Sequence, residues 1–264
     1  MSEWAMELNV TNICKSFDNG GIPKTVLRDV TFRVHEGQFV TLLGPSGCGK
    51  TTLLTIIAGF QKASSGEIKI NGALVSKPGP DRGFVFQDFA LFPWMTVREN
   101  ILFPLKQQRM DRKEQNERLG TLLAMAQLEG AEQLFPSQIS GGMKQRTAFV
   151  RALAGNPQVL LMDEPLGAID QQMRQTLQEE LESLWLKNRT TVLMVTHDVE
   201  EAIYLSDRVL VMSSQEGRLL GDVRIDLSRP RHRKDERYHR YKDQLSEMLA
   251  TAASKTFLEL GERR

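Results

Sequence analysis

Apolar residues recur along the chain in two rhythms. Val30, Phe32 and Val34 alternate with polar residues, the period of a strand with one buried face. Gln38–Leu43, Val159–Met162, Thr191–Thr196 and Val209–Met212 are short, largely apolar runs that read as buried strands. Glu67–Ile70 and Gly83–Phe86 supply two more short strands. Elsewhere the period lengthens to that of a helix. Lys50–Ala58 has no breaker inside it, and Leu119, Leu122, Leu123 and Ala126 share one face, as do Leu177, Leu181, Leu184 and Trp185. Asp111 with Glu114 has the form of a capping box at the start of the helix that carries Leu119. Strands alternating with helices define an α/β fold with a mostly parallel sheet. The helix-rich stretch 88–152 lies between strand-bearing regions and reads as an inserted helical subdomain.

Composition narrows the class. The chain has 264 residues, which suits one large α/β domain. Its formal net charge of +1 gives no field that would mark a nucleic-acid binder. No run approaches the roughly 18 apolar residues of a membrane span. Met1–Val10 carries Glu3 and Glu7 and has no apolar signal core. Cys14 and Cys48 offer neither a disulfide framework nor zinc spacing, so a reducing, cytosolic setting is expected. Partner subunits would then hold the protein at any membrane it serves. Arg229–Lys242 is rich in Arg, Lys and His but diluted by Asp235 and Glu236. It reads as a solvated helical tail, with contact to anionic lipid headgroups as the alternative.

Chemistry concentrates at two strand ends. Gly44-Pro45-Ser46-Gly47-Cys48-Gly49-Lys50-Thr51 follows a strand and opens a helix, as a phosphate-binding loop must. Its glycines let the backbone wrap a phosphate, the helix presents its positive end, Lys50 reaches the outer phosphates, and the Thr51 hydroxyl, with Thr52 beside it, can serve Mg²⁺ and ATP. Cys48, beside a helix N-terminus and Lys50, is expected to be a reactive thiol that bound ATP protects. The run Val159–Met162 delivers Asp163 towards a metal and Glu164 towards the water that attacks the γ-phosphate.

Between these lies Ile139-Ser140-Gly141-Gly142-Met143-Lys144-Gln145-Arg146, which resembles the signature motif of ATP-binding cassette (ABC) proteins, Leu-Ser-Gly-Gly-Gln. Gln87, Gly167-Ala168-Ile169-Asp170 and His197 stand where that family has its Q-loop, D-loop and switch histidine. The resemblance spans about residues 7–225. It implies a P-loop NTPase fold of the ABC type, with an N-terminal antiparallel β region, a core of 7–87 and 153–225 and a tail of 226–264. It also implies a head-to-tail homodimer in which Ser140, Gly141 and Gly142 of one chain cap ATP held by the other. Gln87 would then sense Mg²⁺ and the attacking water, His197 contact the γ-phosphate, and Asp170 link the sites. Phe17 reads equally as core and as a ring stacked on adenine. Ile139, Met143 and Ile169 depart from the usual Leu, Gln and Leu, but remove no hydroxyl, charge or glycine that faces phosphate.

The segments Pro80–Asp88 and Leu91–Val97 and the Leu184-Trp185 pair resemble an importer branch serving nitrate, taurine and aliphatic sulfonates. That implies permease subunits, an extracytoplasmic solute-binding protein engaged indirectly, a peripheral place on the cytoplasmic face of the inner membrane, and a small anion or nutrient as cargo. The alternatives are a cassette for another cargo or a soluble, non-transport cassette protein. Phe89, Leu91, Phe92, Pro93 and Trp94, which follow Gln87 closely, are expected to include exposed members of a docking surface for the permease.

Overall fold

The computed structural model describes residues 7–167 and 171–261. In chain order the strands and helices are β1 (Glu7–Asn19), β2 (Ile22–His35), β3 (Phe39–Leu43), α1 (Lys50–Ile57), β4 (Ser65–Ile70), β5 (Ala73–Leu74), β6 (Arg82–Val85) and α2 (Val97–Gln107). There follow α3 (Arg112–Ala126), α4 (Gly141–Ala154), β7 (Val159–Asp163), α5 (Gln171–Asn188), β8 (Thr191–Thr196), α6 (Val199–Leu205), β9 (Arg208–Met212), β10 (Leu219–Arg224) and α7 (Glu236–Gly261). The chain forms two compact units, one of Met1–Gly79 with Thr191–Arg264 and the other of Pro80–Thr190.

In the first unit, a strand buried at every position needs neighbours on both edges and cover on both faces. β3 and β8 are buried throughout. β3 accordingly pairs in parallel with β8 on one side and β9 on the other, and β10 adds an antiparallel edge to β9. α1 packs against β8, while α7 packs on β9, β10 and α6. A separate antiparallel sheet has the order β2-β1-β4-β5. Val30, Phe32 and Val34 turn inward from it, and the alternating polar residues turn out.

In the second unit, β6 and β7 pair in parallel, from Arg82 opposite Val159 to Val85 opposite Met162. α4 packs against α2, α3 and β6. The stripe Leu177, Leu181, Leu184 and Trp185 is buried along α5, and the Trp185 indole N–H donates to Thr190 O at 2.8 Å. The Leu184-Trp185 pair is therefore core.

Helix entry differs in one place from the sequence expectation. Asp111 caps α3 by accepting from the Lys113 and Glu114 N–H groups at 2.8 and 2.9 Å, which is only half of a capping box. A complete box opens α2 instead. The Thr96 hydroxyl accepts from Glu99 N–H at 3.2 Å, and the Glu99 carboxylate accepts from Thr96 N–H at 2.9 Å. That Thr96 N–H holds the Glu99 carboxyl below its usual range.

Asn100 ties down the chain that precedes α2. It is fully buried; its Oδ1 accepts from Phe92 N–H at 2.9 Å, and its Nδ2 donates to the carbonyls of Phe92, Met95 and Thr96 at 3.2, 3.1 and 3.0 Å. Asn100→Ala removes the side-chain partner of Phe92 N–H and Met95 O, whereas Phe92 O and Thr96 O keep Met95 N–H at 3.1 Å and Asn100 N–H at 2.9 Å; each group left unpaired costs about 1–3 kcal/mol. We expect a loss of about 3 kcal/mol in urea unfolding, and a parental midpoint would contradict this account of the segment.

Candidate functional site

The two parallel pairings place the sequence-predicted residues at strand ends. In the first unit, Leu43 at the end of β3 lies opposite Thr196 at the end of β8. Gly44 and His197, the next residues on each chain, therefore emerge from one edge. In the second unit, Val85 lies opposite Met162. Phe86–Gln87 and Asp163–Glu164 emerge together in the same way. The carboxyl ends of parallel strands are where α/β proteins gather ligand-binding groups, because the loops leaving them open there.

The loop from Gly44 to Gly49 has no room for side chains at two points. A Cβ on Gly44 would come within 2.8 Å of Cys48 Sγ and 3.0 Å of Met212 O. Gly49 has φ 103°, and a Cβ there would meet Leu27 Cδ2 at 2.8 Å and Val26 O at 3.0 Å. Gly49 is also the N-cap of α1, and it offers no side-chain oxygen to the first turn. The N-terminus of a helix presents N–H groups and positive potential to an anion. Lys50 is buried, with 4% exposure, and its Nζ donates to Gly44 O at 2.7 Å and Pro45 O at 3.0 Å. The ammonium is folded over its own loop. Ser46, Gly47 and Thr51 are exposed, and Pro45 and Thr52 are half-buried.

Glu164 follows β7 in a left-handed conformation, φ 42°. A non-glycine residue there is held at a cost of order 1–2 kcal/mol, a strain found often at functional positions. Gly167 N–H closes the turn on Glu164 O at 3.0 Å. A side chain on Gly167 would meet the Gln87 amide nitrogen at 3.4 Å and Glu164 Cβ at 3.6 Å. Gln87 and Glu164 therefore share one small space, although 77 residues (164 − 87) separate them in sequence. Asp163 and Glu164 are half-buried and Gln87 is exposed.

Ser140 is the N-cap of α4 and accepts from Met143 N–H at 3.3 Å. Ser140 and Gly141 are exposed, while Ile139 is buried. Lys15 Nζ lies 4.8 Å from the centroid of the Phe17 ring, which is 40% exposed on the β1–β2 hairpin. The core alternative for Phe17 is set aside by that exposure. Asp170, with Ala168 and Ile169, lies outside the described residues.

Two expectations are corrected. Cys48 is buried to 1% exposure, packed under Gly44, so the thiol is not readily attacked. The tail is not simply solvated, for Arg231 is 4% exposed and inserted against α6.

Sequence reasoning missed Arg151. From α4 it donates to Ala90 O at 2.7 Å and Phe89 O at 2.9 Å, with its guanidinium 5.5 Å from the centroid of Phe92. Burial pulls its pKa down. It holds Phe89 and Ala90, both left-handed at φ 63° and 44°, just after Gln87. The same unit has a groove of about 700 Å³ lined by Phe84, Phe86, Phe92, Phe103, Pro104 and Arg151 among others. Trp94 stands 69% exposed, with its ring 5.7 Å from that of Phe92. Pro93 is exposed too, whereas Phe89, Leu91 and Phe92 are half-buried.

Comparison with known proteins fits this geometry. The ABC transporter family matches residues 27–167. The chain is 42% identical over 228 residues to the aliphatic sulfonates import ATP-binding protein SsuB of Bacillus thuringiensis subsp. konkukian, covering 86% of this chain and 90% of that one. It is 40% identical over 253 residues to the nitrate import ATP-binding protein NrtD of Synechocystis, covering 92% and 95%. Among solved structures, the ATP-binding cassette MJ0796, a dimer bound to ADP and Pi, superposes with a TM-score of 0.70 at 32% identity, covering 83% of this chain and 98% of that one. The chain belongs to the ABC transporter family. Within it, the chain is an ATP-binding subunit and an ABC-type ATPase.

Burial of Cys48 gives a direct check. In Cys14→Ala, where Cys48 is the only thiol, maleimide labelling should be at least ~10-fold slower than that of Cys48 in urea-unfolded chain. Equal rates, read by mass spectrometry, would contradict the packing of the loop.

Proposed function

We propose that this chain is the ATP-hydrolysing subunit of an importer that takes up a small anion, of the sulfonate or nitrate kind, and that it works as a head-to-tail homodimer. The carboxyl-edge placement of Gly44 with His197, and of Gln87 with Glu164, carries this reading. Lys50 leaves the Gly44 and Pro45 carbonyls to engage the outer phosphates of ATP, and the N–H groups of Ser46–Thr52 wrap them. Phe17 stacks on adenine. Thr51, Asp163 and Gln87 offer a hydroxyl, a carboxylate and an amide oxygen, a hard donor set that fits Mg²⁺. When bound there, Mg²⁺ neutralises phosphate charge. Glu164 accepts the proton of the attacking water, His197 donates a hydrogen bond to the γ-phosphate, and Gln87 orients the water. Ser140, Gly141 and Gly142 of a second copy cap the γ-phosphate, with Asp170 joining the two sites. The dimeric state of MJ0796 and the exposed N-terminus of α4 support this arrangement.

Permease subunits supply the path for cargo, and a solute-binding protein delivers it. Among the described residues no helix is long and apolar enough to cross a membrane, which suits a peripheral subunit on the cytoplasmic face of the inner membrane. No nucleic acid is involved in this reading. The groove lined by Phe84, Phe92 and Phe103, with Trp94 at hand, suits a short amphipathic helix of the permease. Gln87 is linked to it through the segment that Arg151 holds.

Glu164→Gln should bind ATP with parental affinity while kcat falls about 10²–10⁴-fold, the usual contribution of a general base. It should also elute as a dimer in Mg-ATP; turnover at the parental rate would overturn the assignment. Trp94→Glu should leave the ATPase activity of the isolated chain intact and reduce co-purification with its permease subunits. Unchanged assembly would place the docking surface elsewhere.

A further inference from the structure

The C-terminal segment converges on one short helix. α6 has only seven residues, too few to hold a helix without tertiary support. It starts directly after His197 and its N-cap, Asp198. The start is locked: Asp198 N–H donates to Thr196 Oγ1 at 3.1 Å, the Thr196 hydroxyl donates to the buried Glu201 carboxylate, and Glu201 N–H donates to Asp198 Oδ1 at 3.0 Å. His197 lies inside this closed set of bonds, and its own side chain is exposed.

The far end of α6 is held by arginines. The last carbonyls of a helix lack partners within it and carry its partial negative charge. Arg231 Nη1 donates to Ile203 O and to Tyr204 O, the latter at 3.1 Å. Arg229 Nη2 donates to Leu205 O at 2.7 Å and also to Asp207 Oδ1 at 2.8 Å. Asp207 in turn accepts from Phe39 N–H at 2.9 Å, at the start of β3, the strand that leads to the phosphate loop. The Arg233 guanidinium lies 3.9 Å from the centroid of the buried Tyr204 ring. From α7, Tyr238 donates to Glu200 O at 3.1 Å, and burial pushes its phenol up. Contacts to Glu200, Ile203, Tyr204 and Leu205 thus come from Arg229, Arg231, Arg233 and Tyr238, all in the C-terminal segment.

We propose that Arg231 is a positioning residue for His197, holding α6 in one axial register so that the imidazole projects from a fixed place at the end of β8. This rests on the reading of His197 given above. At about 1.5 Å per residue the arginine acts roughly 10 Å from the histidine, through two turns of helix. Without Arg231 the Ile203 and Tyr204 carbonyls lose its donors while Arg229 still holds Leu205 O, so the last turn of α6 loosens and the histidine loses its fixed aim without losing its chemistry. Arg231 itself touches no substrate.

The test uses the full chain as purified. Arg231→Met keeps the aliphatic stem and removes the charge and the donors. We expect kcat to fall at least fivefold with one ATP still bound per chain and KM changed less than twofold. In His197→Ala kcat should fall at least tenfold, and the double variant should be no slower than His197→Ala. Arg231→Lys, which can serve one carbonyl, should recover part of the rate. In ¹H–¹³C spectra the His197 ring signal, assigned by its absence in His197→Ala, should move in Arg231→Met. Parental kcat and an unmoved His197 signal in Arg231→Met, beside an impaired His197→Ala, overturn the positioning role alone, as do losses that multiply in the double variant. Parental kcat in His197→Ala overturns the reading of His197 itself and the proposal with it. If Arg231→Met does not fold, Arg231→Lys is judged by the same criteria, with a twofold loss of kcat as the threshold.

Discussion

A buried strand satisfies its backbone through its neighbours, and a helix satisfies its interior through itself, but where one gives way to the other several N–H groups have no partner. In this chain that deficit is met differently at each junction. α1 receives no side-chain cap, since Gly49 stands where an Asp or Ser would serve. α4 and α6 are capped by Ser140 and Asp198, each taking one N–H group. Of these three junctions the one without a side-chain cap is the one with Lys50 beside it, so the positive end of a helix and an ammonium coincide there. The other two junctions are each stiffened by a side chain of their own.

The same constraint governs the carbonyl ends and the turns. Arg151 takes the carbonyls of two consecutive left-handed residues, and Asn100 takes those of the next stretch, so 89–96 is tied by one side chain from α4 and one from the helix that follows it. Such a segment moves as a body when its anchors move. The groove lined by Phe92 and Phe103 is therefore tied to the axis of α4, the helix that begins at Ser140.

Much of this was legible in the sequence because it is local. The phosphate loop is contiguous, Asp163 and Glu164 end a run of four apolar residues, and each buried strand announces itself by composition. Gly49's open conformation and Gly44's crowding explain why glycine is needed there. What was not legible is long-range. Arg151 contacts a segment 61 residues away, and Arg231 one 27–28 residues away, so each reads in isolation as an ordinary surface charge. The basic tail was read as solvated because charge density says nothing about which guanidinium finds a helix end. The capping box at Asp111 was a fair pattern, but Asp111 accepts from two N–H groups by itself, and the full exchange occurs at Thr96 and Glu99.

Glu164 carries a tension that selection must manage. Its left-handed backbone favours glycine on energetic grounds. On the proposed reading, glycine there would relieve strain and silence hydrolysis in one step. Stability and activity thus pull in opposite directions at a single codon. Lineages freed from the need for turnover at both sites of a dimer have an easy route to a degenerate cassette, one that folds at least as well as its parent and still binds nucleotide.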